Sequence, residues 1–354
     1  MRLCTIVGAR PQFVKAAVVS RALAEAGVDE ILVHTGQHYD AALSQVFFDE
    51  MGIPPPAVNL DVGSGTHAAQ TGTMMTRLEA YLQAQSGLDG VVVYGDTNST
   101  LAGALVAAKL HLPLAHVEAG LRSFNRRMPE EINRIVADRL SDLLFCPTQT
   151  ALDNLEREGI VDGVHLTGDV MLDATRVFAD RAATHQPLDT LTPHPPQSYY
   201  LATVHRAENT DDPARLAGIF AGLGRLDAPV LVPLHPRTRD RLGDLGVPAT
   251  VDLREPVSYL SMLTLVQNAR RVLTDSGGLQ KEAFWLGVPC ITLRDETEWV
   301  ETLDNGWNRL AGGHPDTIVE AAEKAPGGPQ RPFGAPPEGT ASACIARALL
   351  QAYF

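Results

Sequence analysis

Short apolar runs of Val, Ile and Leu recur along the whole chain, each ending near Gly, Asp or His and followed by a helical pattern. The runs lack polar alternation, which is typical of strands in a parallel sheet that helices cover on both faces. Two series of five runs indicate a doubly wound α/β fold with two domains. The first series lies at 3–7, 31–34, 91–94, 114–117 and 143–146, and the second at 199–204, 230–234, 249–253, 271–274 and 290–293.

Two proline-rich stretches, 181–198 and 325–339, interrupt this pattern. Proline at that density cannot continue a helix or a central strand. We therefore predict an N-terminal domain over 1–180 and a C-terminal domain over 181–339. The amphipathic helix predicted over 340–354 then joins the N-terminal domain. The length of 354 residues agrees with two domains of about 150 residues each.

Acidic residues outnumber basic ones, 42 against 29, for a net charge of −13. This charge argues against nucleic acid or an anionic membrane as the main partner, but it allows a local basic pocket for a phosphorylated small molecule. No apolar run approaches the length of a membrane span, and the N-terminus has no signal-peptide pattern. The four cysteines have neither metal-ligand nor redox spacing, so we expect a cytoplasmic protein with reduced thiols.

Polar residues follow most of the predicted strands. Because ligands of parallel α/β sheets bind outside the carboxyl ends of the strands, these residues are the candidates for a site. If the two sheets face each other, the candidates converge on one cleft. They are Gly8–Arg10, Thr35–His38, Gly95–Thr97 and Glu118–Gly120 in the first domain, and His205–Asn209, His235–Arg237 and Asp275–Gly278 in the second.

The segment 275–282 passes from a strand into a helix with two glycines at the turn. Free N–H groups and the helix dipole favour an anion there, and a diphosphate fits, although a plain capped turn is the alternative. Glu282 could accept hydrogen bonds from a ribose diol. Arg10 and Lys15 place two positive charges at a similar turn, unless they form surface salt bridges. That turn lacks the spaced glycines of a dinucleotide site, so bound NAD is not indicated.

Carboxylates and one imidazole among these residues suit proton transfer. Each alone could equally be a helix cap or a salt-bridge partner, above all the two acids that follow Pro129 at a predicted helix start. Gly36 weakens any metal site built on His34 and His38, and we expect no metal. The candidates for proton transfer are Asp96, Glu118, Glu130, Glu131 and His205.

Seven strings resemble the non-hydrolysing UDP-N-acetylglucosamine 2-epimerase family, in a match that runs in order from residue 6 to about 313. They are GARPQFVK, HTGQH, YGDTNST, HVEAGLR, PEEINR, HRAEN and TDSGGLQKEA. The resemblance implies a glycosyltransferase-B type fold, in which two Rossmann-like domains hold the nucleotide in a central cleft without a cofactor. It also implies an isomerase that interconverts UDP-GlcNAc and UDP-ManNAc. UDP is eliminated anti to give a 2-acetamidoglucal and is then added back with inversion at C-2.

The resemblance also assigns residues and partners. It implies a homodimer that acts on a UDP-sugar in polysaccharide biosynthesis. By position, the catalytic residues are Asp96, Glu118, Glu130 and His205. The UDP- or substrate-binding residues are Arg10, Lys15, Arg206, Ser276, Gly277, Gly278 and Glu282. Candidate sugar or activator contacts are Gln37, His38, Arg127 and His235. Gln37, Arg206 and His235 match part of the family's activator site, but Asp40 does not, so we expect weak or absent activation.

Several alternatives stay open at the level of sequence. The 123–131 segment is also similar to relatives that epimerise UDP-2,3-diacetamido-2,3-dideoxyglucuronic acid, whose carboxylate could pair with Arg126 or Arg127. A UDP-sugar glycosyltransferase would share the fold and the UDP site. A non-catalytic nucleotide-sugar sensor would share the binding residues but would have no need of the proton-transfer groups.

Overall fold

The computed structural model describes residues 1–37, 50–234, 236–243 and 246–353. They form two compact α/β units. The first unit comprises Met1–Ala174 and Gly334–Phe354, and the second comprises Thr175–Phe333. The C-terminal helix therefore belongs to the first unit.

Seven parallel strands form the sheet of the first unit, in the order β3-β2-β1-β4-β5-β6-β7. The strands are β1 (Arg2–Val7), β2 (Asp29–His34), β3 (Val58–Asn59), β4 (Gly90–Tyr94), β5 (Leu114–Val117), β6 (Leu143–Cys146) and β7 (Val164–Leu166). Its described helices are α1 (Arg10–Glu25), α2 (His67–Gln83), α3 (Asn98–Lys109), α4 (Pro129–Leu140), α5 (Gln149–Arg157), the start of α6 (Val170–His185), and α14 (Ala341–Tyr353).

Six parallel strands form the sheet of the second unit, in the order β10-β9-β8-β11-β12-β13. The strands are β8 (Tyr200–Thr203), β9 (Val230–Pro233), β10 (Val251–Arg254), β11 (Arg271–Thr274), β12 (Cys290–Thr292) and β13 (Asn308–Leu310). Its described helices are α7 (Leu188–Leu191), α8 (Ala207–Thr210), α9 (Pro213–Leu223), α10 (Pro236–Leu242), α11 (Tyr259–Asn268), α12 (Gly277–Trp285) and α13 (Pro315–Glu323), with a 3₁₀ segment over Val300–Gly306.

Each of the ten predicted apolar runs coincides with a strand, because a run buried on both faces leaves a continuous apolar signal in the sequence. The central strand β4 is buried along its whole length. Three strands were not predicted: β3, β7 and β13. They are two or three residues long, lie at sheet edges and are partly exposed, so they show no apolar run.

Layers of apolar side chains fill the space between the sheets and their helices. In the first unit, Ile6, Val33 and Val93 of the sheet pack with Met74 and Leu78 of α2. In the second unit, one cluster lies against α9 and α13 and another against α11 and α12. The predicted C-terminal helix is observed as α14, whose residues Ile345 and Leu349 are fully buried.

Three cysteines are buried and Cys344 is partly exposed, and all four are unpaired thiols. In the part of the chain that the structure describes, no helix combines the length and the apolar character that crossing a membrane requires. Within that same part, no three His, Cys, Asp or Glu side chains are grouped so as to hold a metal ion.

Candidate active site

The carboxyl end of β5 carries a buried ion pair. Glu118 follows β5 directly, and its carboxylate contacts the ammonium group of Lys15 on α1. Gly95, just after β4, has φ +60°, and a Cβ there would lie 3.2 Å from Lys15 Nζ and 3.3 Å from Glu118 Oε2. Glycine therefore allows the β4 turn to lie directly against the pair. Glu118 itself has φ +71°, a backbone conformation that non-glycine residues seldom adopt outside functional sites and turns.

Asp96 follows Gly95 directly in the sequence and is held by α4. Its carboxylate contacts the guanidinium of Arg134, and its main-chain carbonyl accepts a 2.9 Å hydrogen bond from Asn133 Nδ2. Arg134 is almost fully buried, whereas about a third of the Asp96 side chain is exposed. The aspartate is thus fixed from one side and reachable by a ligand from the other.

A fully buried histidine, His116, contacts the Gly95 turn and is itself paired with a buried aspartate, Asp138. His116 Nε2 donates to the Gly95 carbonyl at 2.7 Å, and His116 Nδ1 lies 2.7 Å from Asp138 Oδ1. Arg122 Nη1 donates to the other Asp138 oxygen at 2.7 Å. Burial alone would raise the pKa of Asp138, but His116 and Arg122 lower it below its usual value. Sequence reasoning missed this network, although His116 is a polar residue inside a strand.

The turn after β1 is held by the side chain of Gln12. Its Oε1 accepts from the N–H groups of Gly8 and Ala9 at 2.8 and 3.0 Å, and its Nε2 donates to the Tyr94 carbonyl at 2.8 Å. This arrangement places the partly exposed Arg10 at the start of α1. Predicted site residues from β1, β4 and β5 therefore lie along one sheet edge, as the parallel topology requires.

Gln37, the candidate contact after β2, also lies at this edge. Its Oε1 accepts from the N–H and the hydroxyl of Ser99, at 3.1 and 2.7 Å. Gln37 therefore has a structural partner at the start of α3. Two other candidate contacts, His38 and His235, lie outside the described residues.

In the second unit, Asp275 follows β11 and connects it to the segment that follows β8. It is fully buried and accepts hydrogen bonds from the backbone of His205 and Arg206, both at 2.9 Å, and from Asn209 Nδ2 at 3.0 Å. His205 Nδ1 lies 3.0 Å from Asp275 Oδ1. Burial by itself would raise the pKa of Asp275, but the His205 ring and these N–H groups bring it far below its usual range. His205 is thereby oriented with about a third of its side chain exposed.

The glycine turn that follows opens α12. Ser276 is the N-cap and accepts from the N–H of Leu279 at 3.4 Å. A Cβ on Gly277 would lie 2.4 Å from Glu298 Oε1, so a larger residue there would displace the Glu298 carboxylate. A Cβ on Gly278 would meet nothing closer than 3.9 Å, which leaves open space over the helix start. Open space over Gly278 is compatible with an anion at the N-terminus of α12, and the diphosphate site there stays a prediction.

Glu282 lies one turn into α12 and is buried. Tyr259 donates its hydroxyl to Glu282 Oε1 at 2.9 Å. Burial raises the pKa of Glu282 to about 7, against the lowering effects of the Tyr259 hydrogen bond and the Lys281 charge. Lys281 is buried beside two indole rings, with Nζ 3.6 Å from the Trp299 ring centroid and 5.5 Å from that of Trp285. Such cation–π contacts retain a charged ammonium in a buried position.

The raised pKa predicts the pH dependence of one variant, Glu282→Gln. Between the ordinary pKa of 4.5 and about 7, the native carboxyl holds its proton and the unfolded one releases it. The free energy of unfolding of the natural chain therefore falls as pH rises through this window, whereas a glutamine stays neutral. In urea unfolding of the ligand-free protein, the difference in free energy of unfolding between the variant and the natural chain should change by about 1–3 kcal/mol in favour of the variant from pH 5 to pH 8. Glu323→Gln, an exposed glutamate on α13, is the control; a pH-independent difference at position 282 would contradict the expectation.

A second buried charge cluster was not predicted. Arg294 and Glu298 follow β12, and Arg294 Nη1 donates to Glu298 Oε2 at 2.8 Å. Arg206 Nη2 lies 3.7 Å from Glu298 Oε1, so the cluster reaches the His205 segment. The signal was present, since polar residues follow the apolar run at 290–293 as they follow the other runs.

The two acids after Pro129 have different environments in the structure. Glu130, the predicted catalytic residue, is half-buried at the second position of α4. Glu131 is buried and pairs with Arg134 at 2.8 Å. Arg127 is exposed in the loop before α4. The first unit thus brings Lys15, Glu118 and Asp96 to one sheet edge, and the second unit brings His205, Arg206, Ser276, Gly277 and Gly278 to another.

Comparison with known proteins agrees with this geometry. Residues 21–350 match the family described as UDP-N-acetylglucosamine 2-epimerase. The chain is 52% identical, over 92% of its length and 93% of the relative, to a UDP-2,3-diacetamido-2,3-dideoxy-D-glucuronate 2-epimerase of Pseudomonas aeruginosa. It is 48% identical, over 92% of each chain, to a UDP-N-acetylglucosamine 2-epimerase homolog of Methanococcus maripaludis. The crystal structure of a Methanocaldococcus jannaschii UDP-GlcNAc 2-epimerase in complex with UDP-GlcNAc and UDP is 41% identical, has a TM-score of 0.92, and matches 99% of this chain and 100% of that one.

Proposed function

Since the chain belongs to the UDP-N-acetylglucosamine 2-epimerase family, we propose that it inverts C-2 of UDP-N-acetylglucosamine to give UDP-N-acetylmannosamine. The family makes the protein an epimerase, an enzyme of the isomerase class, and confirms the predicted glycosyltransferase-B type fold class. The observation that carries the proposal is the set of proton-transfer groups at one edge of the first unit, together with an open helix N-terminus in the second. A sensor would need only the second feature.

The proposed reaction begins with elimination. A base removes the C-2 proton while the C-1 to diphosphate bond breaks, which gives UDP and a 2-acetamidoglucal with a C-1 to C-2 double bond. UDP then re-forms its bond to C-1 as an acid delivers a proton to the opposite face of C-2. No electrons are gained or lost in the net reaction, so no redox cofactor is required. The two faces require two proton-transfer groups.

We assign proton transfer to the carboxylates of the first unit, Asp96, Glu118 and Glu130. The Lys15 ammonium gives Glu118 a fixed orientation, and Arg134 does the same for Asp96. Catalytic groups held by buried partners lose little freedom on reaching the transition state. Glu130 is half-buried on the helix that holds Asp96, which suits a group that exchanges protons with a ligand.

We assign the departing diphosphate to basic side chains and to the glycine turn at the N-terminus of α12. In the second unit, these are His205, Arg206 and the α12 turn of Ser276, Gly277 and Gly278. In the first unit, they are Arg10 and Lys15. Negative charge grows on the leaving oxygen as the C–O bond breaks, and preorganised donors stabilise that charge. Glu282 is proposed to accept hydrogen bonds from the ribose.

A second substrate is supported by one relative and one loop. The Pseudomonas relative at 52% identity is named for UDP-2,3-diacetamido-2,3-dideoxy-D-glucuronate. Arg126 and Arg127 are exposed in the loop before α4, and a guanidinium can bind a carboxylate by two parallel hydrogen bonds. The diacetamido-glucuronate is therefore the second candidate for the same reaction.

Proton NMR in heavy water tests the function and the substrate together. The purified protein, without added cofactor, is incubated in separate tubes with UDP-N-acetylglucosamine and with the diacetamido-glucuronate. Deuterium at C-2 and a manno-configured product are expected in the first tube. The same result in the second tube alone would transfer the proposal to that substrate. Absence of exchange in both tubes, with UDP bound, would favour a glycosyltransferase or a sensor.

A further inference from the structure

The loop between β5 and α4 presents an exposed aromatic side chain at the edge of the sheet that carries Asp96. Phe124 is 73% exposed, more than any other large apolar side chain among the described residues. Its backbone has φ +60°, which is an outlier for a bulky residue. A strained backbone of this kind persists only where the surroundings enforce it, and it commonly marks a functional position.

Glu131 enforces this conformation. Its Oε1 accepts from the N–H of Phe124 at 2.9 Å, and its Oε2 accepts from the N–H of Ser123 at 2.9 Å and from the Ser123 hydroxyl at 3.0 Å. Glu131 is only 1% exposed. A buried carboxylate with charge-assisted hydrogen bonds holds its partners more firmly than neutral groups do.

The same helix also fixes Asp96. Arg134 contacts both the Glu131 and the Asp96 carboxylates, and Asn133 donates to the Asp96 carbonyl at 2.9 Å. Glu131 therefore holds the loop, and Arg134 links Glu131 to the proposed catalytic residue Asp96. Because α4 holds both, the position of the loop relative to Asp96 is fixed. It is then also fixed relative to the carbon of a ligand that reacts at Asp96.

We propose that Phe124 packs against the sugar ring of the UDP-sugar and that Glu131 is the positioning residue that couples this loop to Asp96. The inference rests on the proposed function, because the sugar is the part of the ligand that Asp96 would act on. The C–H face of a pyranose suits an aromatic ring, and binding sites combine such apolar surfaces with a few fixed polar groups.

Titration calorimetry with UDP and with UDP-N-acetylglucosamine tests the Phe124 contact. Phe124→Ala should weaken binding of the intact UDP-sugar about tenfold, the size of one good aromatic contact, and change UDP binding less than twofold. Phe124→Tyr should restore sugar binding. Val161→Ala is the control, because Val161 is 65% exposed and precedes β7, at the opposite edge of the same sheet. An unchanged ratio of the two dissociation constants in Phe124→Ala, or a parallel loss of UDP binding, would overturn the contact.

A second variant tests the coupling. Glu131→Gln keeps the size of the side chain but removes its charge, so we expect a lower kcat for C-2 exchange and the same tenfold loss of sugar binding. Adding Phe124→Ala to Glu131→Gln should then cause no further loss of sugar binding, because both changes remove one contact. Glu158→Gln, which weakens a different ion pair with Arg122, is the structural control. The Glu158→Gln control can lower the melting temperature. If Glu131→Gln likewise lowers the melting temperature but changes neither kcat nor sugar binding, the positioning role is wrong.

The outcome for Phe124 can be separated from that of the proposed function. If the natural chain exchanges no C-2 proton, the epimerase proposal fails. The calorimetric ratio still measures whether Phe124 contacts the sugar of a bound UDP-sugar. If exchange occurs but the ratio does not respond to Phe124→Ala, the epimerase proposal stands and the sugar contact is wrong.

Discussion

Exchange of Asp96 for asparagine should lower kcat for C-2 exchange by about 10²–10⁴-fold, the range that a general acid or base contributes. Asparagine keeps the shape of the side chain and an oxygen that can accept from Arg134, so the local structure should persist. It cannot take or give the proton. UDP binding should stay within about tenfold, or about 1.4 kcal/mol, because the proposal assigns UDP to other residues.

The matched control for this variant lies next to the other end of β4. Asp89 precedes β4, is exposed, and accepts a 2.7 Å hydrogen bond from the backbone of Arg2. Asp89→Asn therefore makes the same chemical change at the opposite end of β4 and should leave kcat unchanged. Deuterium incorporation at C-2 and calorimetry with UDP supply both measurements. Joint loss of UDP binding and activity in Asp96→Asn would make Asp96 a binding or folding residue.

Removal of the Asp275 carboxylate should cause the largest loss of stability. Asp275→Ala leaves the N–H groups of His205 and Arg206 and the amide of Asn209 without their buried acceptor. Loss of one partner of a buried charged network costs about 3–5 kcal/mol. We expect a fall of that size in the free energy of unfolding, measured by urea denaturation at pH 7.

The adjacent Ser276 provides the control for this second prediction. Ser276→Ala removes only a helix cap and should cost about 1 kcal/mol. The pH dependence gives a further check. Because the native pKa of Asp275 is lowered, its stabilisation is complete above the ordinary pKa of 3.8 and is lost as pH falls below that value. The difference between Asp275→Ala and the natural chain should therefore shrink in acid. Equal losses for the two variants at pH 7 would contradict the central role of Asp275.

The strands and the edge that carries the candidate site could be predicted because their signals are local. A strand buried on both faces is a continuous apolar run, and the residue after it lies at the carboxyl edge wherever the strand lies in the sheet. This placed Glu118, Asp96, His205 and Asp275 correctly at strand ends. Edge strands such as β13 escaped prediction because partial exposure leaves no such run.

The partners of these residues could not be predicted in the same way. Lys15 and Glu118 are 103 positions apart, and Asp275 holds a backbone segment 69 and 70 positions away. Nothing in the spacing of these residues encodes such pairs, since they depend on strand order and on how each helix packs. For the same reason, sequence could not tell that Glu131 holds the loop while its neighbour Glu130 is left half-exposed.

The sequence by itself therefore determined the α/β class, the two series of strands and the residue types at their carboxyl ends, because each follows from neighbours along the chain. Only the tertiary structure decided which charges are paired and which are exposed. It buried Arg134 against Asp96 and Glu131, and it buried Glu282 beside Tyr259, where desolvation raises the pKa of the carboxyl to about 7. Burial and pairing are properties of groups that folding brings together from distant parts of the chain, and they set the protonation and orientation on which the proposed chemistry depends.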